Sequence, residues 1–431
     1  MGFIYPKTNQ FLRNILIINS HYPPSNLTGV HRSRNYAKFL PQFGWNPVVL
    51  TIDPKDHEEN LDYDLNKLLP SNQQIELVRA FRITKPRVIG DLGLRAFIHL
   101  SKRAEEIIKT KKIDFVYIFI PSFYLSLLGP LLYRRFKIKY GIDYIDPWVH
   151  FFPGSENLFS RHWLSTQLAK LLEPFVVKNA SLISSVSSGY IEPIFQRNPA
   201  LQKKTKSLSI PYGWDSDEQY AVDRIERVTT LFHPSSKLQL VYTGAFLPKS
   251  VEVLENLCKI IKANIDLFED VEIHFIGTGL PTSSNRRPTI TEIASRFNLS
   301  GTILFEHSER ISYVDVLHHI KQSDGLFILG STESHYSPSK LFNAFLMKKP
   351  IFAILHPESS AIAIIENTKW GSVCSYTPDE NTTFSLFFIE SFRQWKHNTL
   401  ANKWEFDHEY ASNYNASTIT AKLSEVLNDL V

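Results

Sequence analysis

Cysteine is scarce in this chain, since Cys258 and Cys374 are the only two among 431 residues. Their positions fit neither a metal-type cysteine spacing nor a redox Cys-x-x-Cys pair. We therefore expect a reducing, cytoplasmic setting in which both thiols are buried. A large excess of one charge is also missing, because the formal net charge is only +4. Together with the lack of a zinc-finger or RNP-type motif, this argues against nucleic acid as a partner.

Long apolar runs without a break are missing as well. The nearest is residues 115–136, "FVYIFIPSFYLSLLGPLLYRRF", which Pro121, Gly129 and Pro130 interrupt. Its first half is β-branched and aromatic and its second half is rich in leucine, so we predict a buried strand, a turn and a core-facing helix rather than a membrane span. The apolar run near the N-terminus is too short for a signal peptide and precedes no cleavage-site pattern.

What the chain does have is the composition of an ordinary folded protein. Hydrophobic residues make up 43% and charged residues 21%, and the aromatic share is 13% with 30 phenylalanines. Single cores stop growing near about 250–300 residues, so a chain of this length is expected to form two domains.

Short apolar runs alternate with helix-length segments from one end to the other. This alternation predicts an α/β fold with parallel sheets, arranged as two Rossmann-like doubly wound domains whose strand C-termini face a cleft. The predicted strands are 14–19, 46–52, 75–80, 115–120, 139–145, 181–186, 206–210, 238–243, 271–276, 302–306, 324–329 and 350–354. The predicted helices are 31–41, 92–110, 123–135, 161–178, 250–267, 287–297, 313–321, 339–348 and 358–367.

Domain boundaries follow from the same pattern. Residues 1–215 form the first predicted domain and residues 238–400 the second. The polar stretch 216–237 has no strand periodicity and is interpreted as their connection. Residues 401–431 are a final segment that ends in a short amphipathic helix.

Two loops of the first half contain candidate site residues. Gly29, just before a predicted helix, would let the backbone approach a ligand closely, and Arg32 lies in the first turn of that helix. A solvated arginine beside a turn glycine explains the pair equally well. In "DYIDPWVH", Asp146 and Trp148 at a strand end could bind sugar hydroxyls and a sugar face. Alternatively, the aspartate caps the next segment.

Two lysines of the second half lie where helices are predicted to begin. Lys249 follows "VYTGAF", in which Gly244 ends a strand. In "SPSKLFNAF", Ser337 fits the N-cap, with Pro338 at N1 and Lys340 at N3. The helix dipole disfavours a cation there, but a bound diphosphate reverses that preference. Exposed surface lysines are the alternative.

These stretches in their order resemble a family of proteins. Nearly the whole chain resembles a family-4-type retaining glycosyltransferase of GT-B fold, through "HYPPSNLTGVHRSRNYAKFL", "GWNPVVLT", "DYIDPW", "VSSGY", "IPYGWD", "VYTGAF" and "SPSKLFNAFLMKKPIFAI". The resemblance implies that the C-terminal domain binds a nucleotide sugar and the N-terminal domain the acceptor. It also implies transfer with retention, no bound metal and no cofactor, and a final helix that packs back on the first domain.

The resemblance also assigns roles to individual residues. Lys249 and Lys340 would contact the donor diphosphate, and Asn343 takes the place of a glutamate that usually holds the ribose hydroxyls. An amide binds these hydroxyls more weakly than an ionised carboxylate does. The first of the family's two glutamates would fall at His335, with Glu333 nearby but out of register. The predicted donor-binding set is Gly29, Gly244, Glu333, His335, Ser337, Ser339 and Asn343. The predicted catalytic set is Asp146, Lys249 and Lys340, and the predicted acceptor-binding set is Arg32 and Trp148.

The predicted function is therefore glycosyl transfer from a nucleotide sugar to a glycan or lipid-linked acceptor, in polysaccharide or glycoconjugate biosynthesis. Two alternatives stay open: a sugar-nucleotide epimerase of the same fold, and a catalytically silent GT-B protein that binds a glycan or a partner. Basic clusters at 109–112 and 133–139 could hold the protein at the inner face of an anionic membrane, although ordinary solvated helix ends explain them as well.

Overall fold

The computed structural model describes residues 13–84, 89–149, 157–225, 230–279, 289–334, 336–377 and 381–431, without the side chains of 381–383. The chain forms two compact units. The described part of Met1–Tyr212 and the final segment Ala416–Val431 make the first unit, and Gly213–Asn415 makes the second.

The first unit is built on a parallel sheet whose seven described strands have the order β3-β2-β1-β4-β5-β6-β7. Its core strands read as continuous apolar runs such as "NILII" because helices cover both faces of the sheet. Residues 15–18 of β1 are accordingly fully buried. The strands are β1 (Arg13–Ile18), β2 (Trp45–Ile52), β3 (Gln74–Val78), β4 (Phe115–Phe119), β5 (Lys139–Tyr144), β6 (Leu182–Ser185) and β7 (Lys206–Ser209).

Two helices of the first unit begin next to a side chain that caps them. Asp91 accepts a hydrogen bond from the backbone N–H of Leu94, and Ser160 accepts one from that of Trp163. Such caps satisfy N–H groups that have no partner within the helix. The helices are α1 (Thr28–Phe39), α2 (Leu92–Lys111), α3 (Leu128–Phe136), α4 (Arg161–Val177) and α5 (Ser188–Arg197).

The second unit has a parallel sheet with six described strands in the order β10-β9-β8-β11-β12-β13. From β8 the chain winds outward to β9 and β10, and from β11 it winds outward in the opposite direction. The strand order therefore reverses between β8 and β11. The strands are β8 (Leu238–Thr243), β9 (Val271–Ile276), β10 (Leu304–His307), β11 (Gly325–Leu329), β12 (Ile351–Leu355) and β13 (Gly371–Ser375).

Helices of the second unit connect and cover these strands. They are α6 (Asp217–Arg224), α7 (Val251–Ala263), α8 (Ile265–Phe268), α9 (Thr289–Ser295), α10 (Tyr313–Gln322), α11 (Leu341–Met347), α12 (Ser360–Thr368), α13 (Asn381–Leu400) and α14 (His408–Ser412). The last helix of the chain, α15 (Ala416–Leu430), returns to the first unit, where Trp45 Nε1 donates to Asn428 Oδ1 over 3.1 Å.

All twelve predicted strands are present, with shifts of one or two residues at their ends. The strand β13 was not predicted because "GSVCS" has neither an apolar run nor clear alternation. Helix α13 was also missed, although Phe384, Phe388, Phe392 and Trp395 are buried at helical spacing. Helix α5 was missed as well, and it contains Pro193, a residue that disfavours the interior of a helix.

The predicted boundaries differ from the observed division. The first unit ends at Tyr212, and the described part of 216–237, interpreted as a connection, belongs to the second unit and contains α6. Only Glu218 and Val222 of α6 are buried, too few to show an apolar period in the sequence. Residues 401–415 lie in the second unit, so the segment that returns begins at Ala416.

The segment 115–136 forms β4, a 3₁₀ turn over Phe123–Leu127 and α3, as predicted. None of the helices in the described residues has the length and apolar character needed to cross a bilayer.

Candidate functional site

The candidate site of the second unit lies where β8 and β11 end. In doubly wound sheets, ligands bind outside the strand C-termini at the point where the strand order reverses. Gly244 directly follows β8, and its backbone has φ +97°, a conformation that favours glycine. Glu333 lies in the loop after β11. The predicted donor residues at these two positions therefore lie beside neighbouring strands.

Lys340 is the centre of this site. Its Nζ lies 3.7 Å from the centroid of the Tyr242 ring, a cation–π contact at the end of β8. A Cβ added at Gly244 would lie 3.8 Å from the same Nζ. Since 3.8 Å is ordinary van der Waals contact, the backbone conformation and not the space accounts for a glycine at position 244.

The ammonium group of Lys340 has no ion-pair partner within the described part of the chain. Burial lowers the pKa of Lys340 from its ordinary value of 10.5 to about 7. The Tyr242 ring offsets only part of the hydration that the ammonium loses. The arrangement therefore favours an anionic ligand, which would restore the charge of the lysine.

Lys249 is in a different situation. Its Nζ lies 3.0 Å from Glu333 Oε1, and both side chains are partly exposed. The backbone N–H of Thr332 also donates to the carbonyl oxygen of Lys249 over 3.2 Å, so the loops after β8 and β11 are in direct contact. Glu333 thus neutralises Lys249 in the protein without ligand.

The helix that follows Lys340 begins later than predicted. Helix α11 starts at Leu341, so Lys340 is its N-cap residue and not N3, and Ser337 does not cap it. Ser337 Oγ instead accepts a hydrogen bond from Ser360 Oγ over 3.3 Å, and Ser339 lies half-buried in the turn before Lys340. The helix has only seven residues, so the attraction for an anion depends on the ammonium group and not on a long dipole.

Asn343 belongs to a polar chain that joins three helices. Tyr313 Oη lies 3.2 Å from Asn343 Oδ1 and 2.9 Å from Glu218 Oε2. Glu218 is buried and comes from α6. The phenol of Tyr313 therefore connects the amide of Asn343 to a buried carboxylate.

In the first unit, Gly29 lies inside α1 and not before a helix. A Cβ at this position would overlap Cδ1 of Ile145. Close packing between α1 and the segment after β5 therefore accounts for the glycine. The predicted contact between Gly29 and a donor diphosphate stays a prediction.

Arg32 is buried, so the solvated alternative is wrong. Its guanidinium group donates from Nε to Asp143 Oδ1 over 2.8 Å and from Nη2 to Asp143 Oδ2 over 3.0 Å. Nη1 donates to the carbonyl oxygens of Ile210 and Pro211 over 2.7 and 3.1 Å. Asp143 also accepts from Tyr117 Oη and Ser184 Oγ, each over 2.8 Å. These contacts are structural and leave Arg32 little to offer an acceptor.

Asp146 and Trp148 differ in their exposure to solvent. Asp146 is exposed after β5, where a ligand could contact it. Trp148 is only 7% exposed and stacks on Phe123, with ring centroids 5.9 Å apart and planes 5° from parallel. Its predicted surface for a sugar is therefore largely covered. His335 falls outside the described residues.

Sequence reasoning missed three members of the second-unit site. Tyr242 could have been found, since it lies two positions before Gly244 and strand alternation puts both on one face. Tyr313 and Glu218 gave no such signal, because their approach to Asn343 depends on how three helices pack.

Comparisons of the sequence with known proteins give no match. No family model matches the chain, and no curated protein matches it in sequence.

Comparisons of the structure do give matches. Sucrose-phosphate synthase from Thermosynechococcus elongatus is 13% identical, with a TM-score of 0.67 over 97% of this chain and 99% of that one. HepE from Anabaena, solved in complex with UDP-glucose, is 13% identical, with a TM-score of 0.59 over 96% of this chain and 99% of that one. UDP-GlcNAc 2-epimerase from Methanocaldococcus jannaschii is 11% identical, with a TM-score of 0.53 over 96% of this chain and 99% of that one.

At these identities the similarity establishes the fold alone. The predicted fold class, α/β of GT-B type with two Rossmann-like units, is confirmed.

Proposed function

We propose that this protein is a glycosyltransferase that takes its sugar from a nucleotide-diphosphate donor bound by the second unit. The observation that carries the proposal is Lys340, a half-buried lysine with no carboxylate partner within the described residues. It lies at the reversal point of the second sheet, where the fold places ligands. The structural match to HepE in complex with UDP-glucose supports a uridine nucleotide as the first donor to test.

The proposed reaction breaks the bond between the sugar C1 and the diphosphate oxygen and forms a bond from C1 to an acceptor hydroxyl on the same face. The acceptor's proton passes to the departing diphosphate. Negative charge grows on that diphosphate in the transition state, and the ammonium of Lys340 would stabilise it. Lys249 could do the same after exchanging Glu333 for the ligand. The two lysines would then neutralise the charge that a metal ion could otherwise neutralise. We therefore propose metal-independent transfer with retention. Asp146 is the proposed polar contact on the acceptor side.

The nucleotide is identified by a thermal-shift panel of UDP, GDP, dTDP, ADP and CMP. A nucleotide at 100 times its dissociation constant should stabilise the fold by about 2.7 kcal/mol. We expect one diphosphate to raise the melting temperature and CMP, which has a single phosphate, to have little effect. If no nucleotide shifts the melting curve at millimolar concentration, the protein is not a donor-dependent enzyme and the catalytically silent alternative takes its place.

A sugar-nucleotide epimerase is the second candidate, favoured by the structural match to UDP-GlcNAc 2-epimerase. Both enzymes would bind the same donor, so binding alone does not separate them. The two are separated by incubating the protein with the donor that the panel identifies, in the absence of any acceptor. An epimerised sugar nucleotide would establish the epimerase, and an unchanged donor that is consumed only with an acceptor extract would establish the transferase.

For the acceptor, we propose a lipid-linked glycan at an anionic membrane, and α4 as the surface that meets the membrane. Leu164, Leu168, Leu171 and Phe175 are all exposed. At 100° per residue they lie within about 60° of one another, so they form one apolar stripe on the helix. The opposite face of α4 is buried.

Basic residues are exposed on the same helix and on its neighbour. Lys170 and Lys178 are exposed on and after α4, and Arg134 and Arg135 are exposed on α3, which packs beside α4. Apolar side chains flanked by cations suit the interface of a bilayer that contains anionic lipids. The stripe is a clearer membrane candidate than the basic clusters alone, since Arg135 already pairs with Glu105 over 2.6 Å.

Replacing Leu171 with glutamate should abolish binding to vesicles that contain phosphatidylglycerol, because it puts a negative charge in the centre of the stripe. Co-sedimentation with anionic and with neutral vesicles measures this. Leu386→Glu is the matched control, since Leu386 is 74% exposed and Leu171 is 73% exposed, but it lies in the second unit. If the wild type binds no vesicle and Leu171→Glu instead splits a dimer in solution, the stripe is an interface between copies.

A further inference from the structure

Two histidines and a glutamate meet in the first unit, outside the residues proposed for donor binding. His21 follows β1, while His57 and Glu59 follow β2, the neighbouring strand in the sheet. Because parallel strands end at the same edge, the two loops lie side by side. The edge lies next to the reversal point of this sheet, between β1 and β4.

The three side chains converge on a small, shielded space. His57 Nδ1 lies 3.0 Å and His21 Nε2 3.8 Å from Glu59 Oε1. One ligand atom from each of the three side chains falls within 4.8 Å of the others. The side chains of His21, His57 and Glu59 are 13%, 0% and 5% exposed. Two imidazoles and a carboxylate at this separation can close on one metal ion with small side-chain rotations.

The hydrogen bonds of His57 show which of its ring nitrogens faces the space. Its Nε2 lies 3.3 Å from the carbonyl oxygen of Ile52, which can only accept, so Nε2 carries a hydrogen. In the neutral ring, Nδ1 then carries a lone pair that is directed at Glu59 Oε1. Two acceptors 3.0 Å apart require a positive charge between them. A proton or a metal ion between the two atoms supplies that charge.

The neighbouring groups resemble the outer shell of a metal site. Ser20 Oγ lies 2.8 Å from His21 Nδ1, the ring nitrogen that points away from the cluster. Ser25 Oγ donates to Glu59 Oε1 over 2.6 Å. Metal-binding histidines use their second nitrogen in this way, and metal-binding carboxylates are themselves hydrogen-bonded.

We propose that His21, His57 and Glu59 bind one first-row divalent metal ion, with Zn²⁺ as the probe. Nitrogen and oxygen ligands of this kind, three in number with a fourth position for water, suit zinc. The ion joins the loop after β1 to the segment after β2. The first of these loops leads into α1, so the ion fixes the start of that helix. It takes no part in the proposed transfer.

The test is a Zn²⁺ titration of the tag-free, full-length protein after removal of metals, in competition with a chromophoric chelator. We expect one equivalent to bind at micromolar or lower concentration, and Co²⁺ to give a visible absorption band at the same stoichiometry. His21→Gln and Glu59→Gln should each weaken binding at least about tenfold. His21 is at the rim of the cluster, so its variant is the less prone to misfold.

His99→Gln is the matched control. His99 is a half-buried histidine of the same unit that hydrogen-bonds the Arg79 carbonyl oxygen, and its loss should leave zinc binding unchanged. The proposal is overturned if the wild type shows no saturable binding, or if His21→Gln and Glu59→Gln both bind as tightly as the wild type. A proton shared by the two atoms would then be the bridging charge. Zinc binding is read without donor or acceptor, so this result is independent of the transferase proposal.

Discussion

Replacing Lys340 with methionine is expected to weaken binding of the nucleoside diphosphate and, at the same time, to raise the stability of the protein without ligand. A charge-assisted hydrogen bond contributes about 1.5–3 kcal/mol, so affinity should fall roughly 10- to 150-fold. Methionine has nearly the same length and keeps contact with the Tyr242 ring. It removes only the ammonium group and the cost of burying it.

The stability gain follows from the pKa of Lys340. Burial lowers this pKa from 10.5 to about 7, so between pH 7 and 10.5 the unfolded lysine holds a proton that the folded one has lost. The wild type therefore gains stability from this residue as the pH rises through that range. Lys340→Met lacks this dependence, and urea unfolding at several pH values measures the difference.

Binding should respond to pH in the opposite direction. The charged lysine attracts the diphosphate, so above pH 7 binding must take up a proton and affinity should fall with increasing pH. Isothermal titration in buffers of different ionisation enthalpy detects that proton. Lys249→Met is the control for the pH dependence alone, because Lys249 is partly exposed and paired with Glu333, so the uptake of a proton on binding should remain in this variant. If Lys340→Met binds the diphosphate with unchanged affinity, the donor site lies elsewhere.

Replacing Arg32 with methionine is expected to destabilise the first unit by about 3–5 kcal/mol, since removing one partner of a buried ion pair leaves the other charge uncompensated. The side chains of Arg32 and Asp143 are 1% and 0% exposed. The loss would also leave the carbonyl oxygens of Ile210 and Pro211 without their donor. Urea unfolding monitored by circular dichroism measures the change.

Arg135→Met is the control for this second prediction. Arg135 pairs with Glu105 at the surface, and exposed pairs contribute about 0–1 kcal/mol. The sequence predicted instead that Arg32 binds the acceptor. In that case Arg32→Met would affect substrate binding rather than stability. If Arg32→Met keeps its stability but raises the KM for the acceptor, the guanidinium group contacts substrate and the structural interpretation is wrong.

Periodicity and the alternation of strands with helices were sufficient to predict two doubly wound α/β units, and the resemblance supplied the GT-B class. The alternating pattern identified every described strand except β13, whose small polar residues lie at the edge of the second sheet. The helix within 216–237 was not predicted because a two-turn helix with two buried residues leaves no measurable period.

The candidate site was predictable only in part. Lys340 was found because a lysine before a helix is unusual in the sequence itself. The ring beneath its ammonium group, and the absence of a neighbouring carboxylate in the described residues, appear only once β8 and the turn before α11 are packed together. Arg32 shows the reverse error, since a sequence cannot tell a cation that awaits a ligand from one that is paired with an aspartate 111 residues away.

The return of α15 to the first unit determines the order in which the two units are completed during synthesis. The ribosome makes β1 to β7, then the whole second unit, and only afterwards the helix that covers Trp45. Domains generally fold as they emerge, N-terminal first. Here the unit made first is finished last, and until then it exposes the apolar surface that α15 will cover. A chaperone would find its binding site there while the second unit is still being translated.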